Sequence, residues 1–210
     1  MRLPSKSIER TLIGRGARLI AAVDEAGRGS WAGPVVAAVV LFESSFFVTS
    51  QRHLRFIRDS KLVNEAGREK YYKMLTECTR MQWEVGAVDA KTIDKINILE
   101  ATLRAMTKAI RKLTRKPDIV LVDGIFSIPG VSYAQECFPH GDRRIFSIAC
   151  ASIIAKVTRD RLMTGFAKQY PEYGFEKHKG YGTKLHQIQL ASVGPSPIHR
   201  KSYRPVAELA

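Results

Sequence analysis

Residues Leu19 to Phe42 read LIAAVDEAGRGSWAGPVVAAVVLF. Leu19–Val23 and Val35–Phe42 are short apolar runs rich in β-branched residues. Gly27, Gly29, Gly33 and Pro34 lie between them, so the pattern predicts two strands joined by a tight loop. Within the loop, Gly27 to Ala32 (GRGSWA) imitates the GxGxxA fingerprint of dinucleotide-binding proteins. The context contradicts that reading: a nucleotide-binding turn must open a helix whose N-terminus meets the pyrophosphate, whereas here Pro34 leads into a second strand. Asp24 and Glu25 would also repel a pyrophosphate. What remains is a pair of carboxylates at the end of an apolar strand, expected to point to opposite faces, which alone is most simply a polar strand terminus.

A second acid gives that pair meaning. Asp118 to Val122 (DIVLV) follows Pro117, stops at Asp123-Gly124, and reads as a short, fully buried strand. If it runs parallel to the first strand as a neighbour, Asp24 and Asp123 share one sheet edge. Clustered like charges are costly without a cation, and oxygen ligands suit Mg²⁺ or Mn²⁺. Gln82–Val88 reads as a third strand. From Thr92 to Leu113 apolar residues recur at helical spacing, with Thr92 as the expected N-cap. Ser147 to about Lys168 reads as a second helix, ended by Tyr170-Pro171, and a short helix is expected to end near Ala191. Three strands, then helix, strand and helix, make a mixed α/β order.

Charge narrows the partner. The 210 residues carry 34 Lys and Arg against 20 Asp and Glu, a net +14, for which phosphate neutralisation is the commonest use. At 45% hydrophobic residues, there is material for a packed core. The longest uncharged run, Gly29 to Phe42, is too short for the roughly 20 residues of a membrane span, and Arg10, Arg15 and Arg18 interrupt any secretion signal. Cys78, Cys137 and Cys150 form no CxxC pair and read as reduced thiols, so a cytoplasmic protein without membrane association, acting as a monomer, is expected. No HxxH or HExxH pattern, GxSxG elbow or Walker loop is present, which removes zinc, serine-hydrolase and nucleoside-triphosphatase readings. A cluster of acids in a basic protein suits two-metal phosphodiester cleavage.

These same residues carry a resemblance. VDEAGRG with AGPVVAA downstream, DSK at Asp59–Lys61, LVDG at 121–124, ASIIAKVTRDR at 151–161 and HKGYGT from His178 resemble, in family order, the type 2 ribonucleases H, ribonuclease HII, over roughly residues 19 to 186. The resemblance implies an RNase H-like α/β fold: a mixed five-stranded sheet flanked by helices, with a C-terminal helical extension. It divides into a catalytic core over 1–168 and a helical substrate-binding region over 169–210, packed as one unit. It further implies endonucleolytic cleavage of RNA in RNA/DNA hybrids and incision 5′ of a ribonucleotide embedded in duplex DNA.

Residue by residue, the resemblance places the metal-binding acids on Asp24, Glu25, Asp123 and a fourth Asp for which Asp142 is chosen. Asp160 is the rival, but some 13 helical residues separate it from Ser147, about 20 Å at 1.5 Å each, and an ion pair with Lys156 on the helix surface accounts for it. Gly27, Arg28 and Gly29 are implied to read the 2′-hydroxyl, and Tyr181 to pack on the neighbouring deoxyribose. Lys61 is assigned to a phosphate, Lys156 less firmly, and His140, close to Asp142, is a candidate proton carrier with no spacing argument behind it. Ser30 replaces a Pro common in the family, which is expected to loosen the loop. The basic ends, 1–18 and 187–210, are assigned only duplex contacts. The competing readings are a DNA-junction nuclease of the same fold, which needs no GRG and GYG together, and a non-catalytic RNA-binding protein, which has no use for clustered acids.

Overall fold

The computed structural model describes residues 3–48, 57, 60 and 63–209. Strands β1 (Leu19–Ala26), β2 (Val35–Glu43), β3 (Met81–Val88), β4 (Ile119–Asp123) and β5 (Ala134–Phe138) form one sheet in the order β3-β2-β1-β4-β5. β1 pairs antiparallel with β2, and β2 with β3, while β4 runs parallel to both β1 and β5. The fold class expected from the sequence is thus the one observed. β5 escapes a sequence reading because its AQECF is polar and half exposed, without the apolar run that marks β4.

Strand alternation sends one side chain set to each face. Ile20, Ala22 and Ala26 of β1 join Ala38, Val40, Leu121 and the helix α5 (Phe146–Gln169) on one side. Ala21 and Val23 join Ala37, Val39, Val120, Val122 and α4 (Ala90–Ile110) on the other. The first side also receives α1 (Ser7–Gly14), α2 (Ser44–Val48) and α3 (Glu65–Thr76), while α6 (Phe175–His178), α7 (Lys184–Val193) and α8 (Arg204–Ala207) follow α5. Tyr173, Phe175, Leu190 and Val206 pack there with Ala32 and Met163 in a third apolar cluster.

Two details of α4 differ from expectation. Its N-cap is Asp89, whose side chain accepts the Thr92 N–H at 2.7 Å, so Thr92 lies inside the first turn; such a cap contributes about 1 kcal/mol. The helix also breaks at Asn97 (φ 64°, ψ 168°), whose Oδ1 accepts the N–H groups of Leu99 and Glu100 and recaps the second half. The short amide side chain supplies the cap, while the apolar period continues across the break.

Candidate active site

β1 and β4 are in register through Val23 and Val122, so the next residues, Asp24 in β1 and Asp123 at the end of β4, lie side by side where the two parallel strands part. Asp24 and Glu25 are consecutive residues of β1, yet their carboxylates converge beyond the last β1–β4 pair. One oxygen from each of Asp24, Glu25 and Asp123 lies within 4.8 Å of the others. Asp24 is 4% exposed and accepts the Glu25 N–H at 2.7 Å. Burial first, then the charges of Glu25, Asp123 and Asp142, pushes its carboxyl well above the usual carboxylate range. Without a cation, the cluster opposes its own ionisation. Hard carboxylate oxygens that repel one another in this way are the donor set a divalent cation compensates, so the residues fit one.

Asp142 sits buried on a single 3₁₀ turn, Gly141–Arg143, at the start of α5. The turn is tied to the cluster, because the Gly141 N–H donates to Asp123 Oδ1 at 2.6 Å. Asp160 is elsewhere: its carboxylate meets Lys156 Nζ at 2.6 Å and Arg68 at 3.9 Å. This ion pair was expected on the helix surface; Asp160 is in fact buried and Lys156 half-buried, since α3 packs over that face of α5.

Two clefts meet at Glu25 and Arg28. One, about 360 Å³, runs between α4 and the segment after β4, lined by Leu103, Met106, Asp123, Phe126 and the exposed His140. The other, about 280 Å³, is lined by Gly27, Arg28, Gly29, Ser60, Lys156 and Tyr181. Arg28 itself is half exposed and lies 3.5 Å from Glu25. Lys156 Nζ stands 5.2 Å from the Tyr181 ring centre. Lys61, the expected phosphate contact, lies outside the described residues, but Ser60 beside it is buried and bonds Ser152 Oγ at 3.0 Å.

The GRG and GYG segments are joined by backbone. Ser30 bridges Tyr181, and the Trp31 N–H donates to the Gly180 carbonyl at 2.8 Å. Gly27 takes φ +95°, and a Cβ there would fall 2.0 Å from Arg159 Nε, so its glycine is required by the fold. Gly29 differs: a Cβ would meet nothing within 4 Å. At the position of the missing proline the packing is close. Ser30 is fully buried, its N–H points to the Gly27 carbonyl at 3.4 Å, and the Trp31 indole packs against Gly182 so closely that a Cβ there would be 2.2 Å away.

These features can be compared with those of known proteins. The sequence pattern described as Ribonuclease HII matches residues 21–206. The chain belongs to the ribonuclease HII family. It is 47% identical over 206 residues to the ribonuclease HII of Chloroflexus aggregans, covering 98% of this chain and 96% of that one. It is 50% identical over 194 residues to that of Geobacter sulfurreducens, covering 92% and 86%. The crystal structure of ribonuclease H2 from Pyrococcus horikoshii superposes with a TM-score of 0.73 at 27% identity, over 91% of this chain and 96% of that one. Bst-RNase HIII, solved in complex with Mn²⁺, shares the fold at a TM-score of 0.67 and 14% identity, over 92% and 70%. As a ribonuclease HII family member, the chain is a metal-dependent endoribonuclease acting on RNA/DNA hybrids. No described helix is long and apolar enough to cross a membrane.

Several contacts around this site were not legible in the sequence. Arg159 and Arg200 are fully buried beside the GRG loop, where a reader of composition counts them as surface charge. His178, His186 and His199 share no linear spacing but stack together: His178 and His186 ring centres lie 4.3 Å apart, and His186 Nε2 meets His199 Nε2 at 3.0 Å. The Ser196 N–H donates to His199 Nδ1, so the His199 Nε2–H donates to His186 Nε2, and the His186 Nδ1–H in turn donates to the Tyr181 carbonyl. The N-terminal segment, read from the sequence only for its basic charge, also packs beside the site. Glu9 of α1 is buried and accepts the Ser147 N–H at 2.9 Å, and Ser5 pairs with Ile145 next to the Asp142 turn.

Proposed function

We propose that this enzyme cuts 5′ of a ribonucleotide in duplex DNA as well as within longer hybrids, leaving a 3′-hydroxyl and a 5′-phosphate. Asp24, Glu25, Asp123 and Asp142 hold two divalent cations, Mg²⁺ or Mn²⁺. The observation that carries this reading is the convergence of three carboxylates within 4.8 Å beside a glycine loop bridged to Tyr181. When bound, such cations supply Lewis-acid activation of water and neutralise charge growing on the phosphate. The protein needs no further base. Residues 27–29 offer main-chain donors and acceptors to the 2′-hydroxyl, the one group that separates RNA from DNA at a single nucleotide. The open space over Gly29 favours a close ligand approach there. Tyr181 packs on the following deoxyribose, with Lys156 beside it placed for a phosphate, as Lys61 is by resemblance. Arg28 screens Glu25, and His140 at the rim of the acid cleft is placed to carry a proton.

Residues 1–168 act as the catalytic core and 169–210 as the substrate-binding region of a monomeric cytoplasmic enzyme. The test is a gel shift with a labelled hybrid in chelator, followed by addition of Mg²⁺ or Mn²⁺. Binding should turn into cleavage with the stated ends. Retained binding with no cleavage in either metal would support the non-catalytic RNA-binding alternative.

A further inference from the structure

Five carbonyls of the loop that follows β1 accept hydrogen bonds from behind. Arg159 donates Nε to the Pro34 carbonyl at 2.9 Å, Nη2 to Ala32 at 3.0 Å and Nη1 to Lys179, next to the GYG glycine, at 2.9 Å. Arg200 donates Nε to the Gly33 carbonyl at 3.0 Å and Nη1 to Arg28 at 2.8 Å, while its own N–H reaches Trp31 at 2.8 Å. The Tyr203 hydroxyl accepts from Arg200 and donates to that same Arg28 carbonyl. Both arginines are 0% exposed, and both are bonded to neutral oxygens rather than to a carboxylate.

A buried guanidinium is a costly way to fill space, which an apolar side chain of similar volume does better. Its advantage is geometric: a planar fork orients several carbonyl dipoles at once. Resting on the reading of residues 27–29 as the ribose-contacting loop, we propose that Arg159 and Arg200, with Tyr203, are positioning residues for ribose discrimination. With the carbonyls of residues 28 and 31–34 drawn inward, those five peptide planes are held, and the Gly27 carbonyl accepts the Ser30 N–H at 3.4 Å. The pattern of N–H and C=O groups the loop presents in the 280 Å³ cleft is fixed before substrate arrives. A fixed site built to hydrogen-bond a hydroxyl rejects the analogue that lacks it, because its own polar groups are left unpaired; a loop free to turn can pair them elsewhere. Arg200 and Tyr203 thereby give the C-terminal segment, beyond the GYG motif, a role in specificity.

The experiment compares wild type with Arg200→Lys and Tyr203→Phe in Mg²⁺. KM and kcat are measured on a duplex containing one ribonucleotide, and Ki for its all-deoxy twin as competitor. Thermal melting and calorimetric Mn²⁺ binding check that fold and acid cluster persist. Wild type should show Ki/KM well above one. The ratio should fall by about 5- to 30-fold in Arg200→Lys and about 2- to 5-fold in Tyr203→Phe, with KM rising more than kcat drops. If Arg200→Lys does not fold, Tyr203→Phe carries the test, since it removes one hydroxyl from an otherwise intact ring. A ratio unchanged from wild type while kcat/KM falls would mean the clamp is only structural, and would overturn the proposal. A wild-type ratio near one would instead remove the ribose reading itself, and this proposal with it.

Discussion

Asp24 and Asp123 stand at the same level of adjacent parallel strands, one residue past the Val23–Val122 pair. Their closeness is therefore a property of strand register, and either carboxylate can be neutralised without disturbing the sheet. Asp24→Asn and Asp123→Asn should each lower cleavage by several orders of magnitude while hybrid binding holds or improves. In chelator, Asp24→Asn should be more stable than wild type in urea unfolding, because burial and three neighbouring acids already oppose its charge. Adding Mg²⁺ should stabilise wild type by about 2.7 kcal/mol at a hundred times its Kd and the variant by less. Wild-type rates in either variant would refute the acid site.

Asp142 and Asp160 should separate cleanly. Asp142→Asn acts on the charge cluster and should cost activity with little loss of stability. Asp160→Asn leaves the half-buried Lys156 without its 2.6 Å partner and should destabilise by about 1–3 kcal/mol, with a much smaller fall in rate. Paired denaturation and kinetic measurements check this; the opposite ordering of rates would exchange the two roles.

The histidine stack makes stability depend on pH in a definite window. Burial holds His186 and His199 down to about 4, against an ordinary 6.5. The groups facing them are His178, the Tyr173, Phe175 and Trp31 rings, and Ser196, none of them an acid. Above pH 6.5 folded and unfolded chains both carry neutral imidazoles. Between about 6.5 and 4 the unfolded chain takes up protons that the folded one refuses, so stability falls with pH and levels off below 4. Each of the two should account for a loss on the order of 3 kcal/mol, and His199→Leu should remove its own share. Urea midpoints from pH 7 to 4 give the slope directly, and a flat profile in wild type would contradict the neutral stack.

Tyr181→Ala should damage incision at an isolated ribonucleotide more than cleavage in a long RNA tract. A lost sugar contact costs roughly 1–3 kcal/mol by analogy with base stacking, a fall of about 5- to 150-fold. A long tract offers many registers and makes little use of a contact to a deoxyribose. Equal losses on both substrates would reduce Tyr181 to a structural loop residue.

Why the sequence conveys some of this and not the rest is a matter of distance along the chain. β1, β2 and β4 are apolar runs with acids at their ends, so their strand character and the meeting of Asp24 with Asp123 follow from local pattern plus one guess about pairing. β5 is polar, and the Asn97 break leaves the α4 period intact, so neither leaves a local trace. Arg159 and Arg200 bond backbone carbonyls 125 and 167 residues away, a partnership with no side-chain signature at the other end. The three histidines likewise meet only because α6, α7 and the segment after them fold back over Phe175. The one hint was the large basic excess, and composition cannot say which arginines are inside.

The most direct test is digestion of two DNA duplexes of identical sequence, one carrying a single ribonucleotide and the other none, with the full-length protein in Mg²⁺ and in Mn²⁺. A single cut 5′ of the ribonucleotide, leaving 3′-hydroxyl and 5′-phosphate ends, with the all-DNA twin intact, is the predicted result. Equal cutting of both duplexes, or cutting of neither while long RNA/DNA hybrids are degraded, would contradict the account of residues 27–29 and Tyr181 as the reader of a lone ribose.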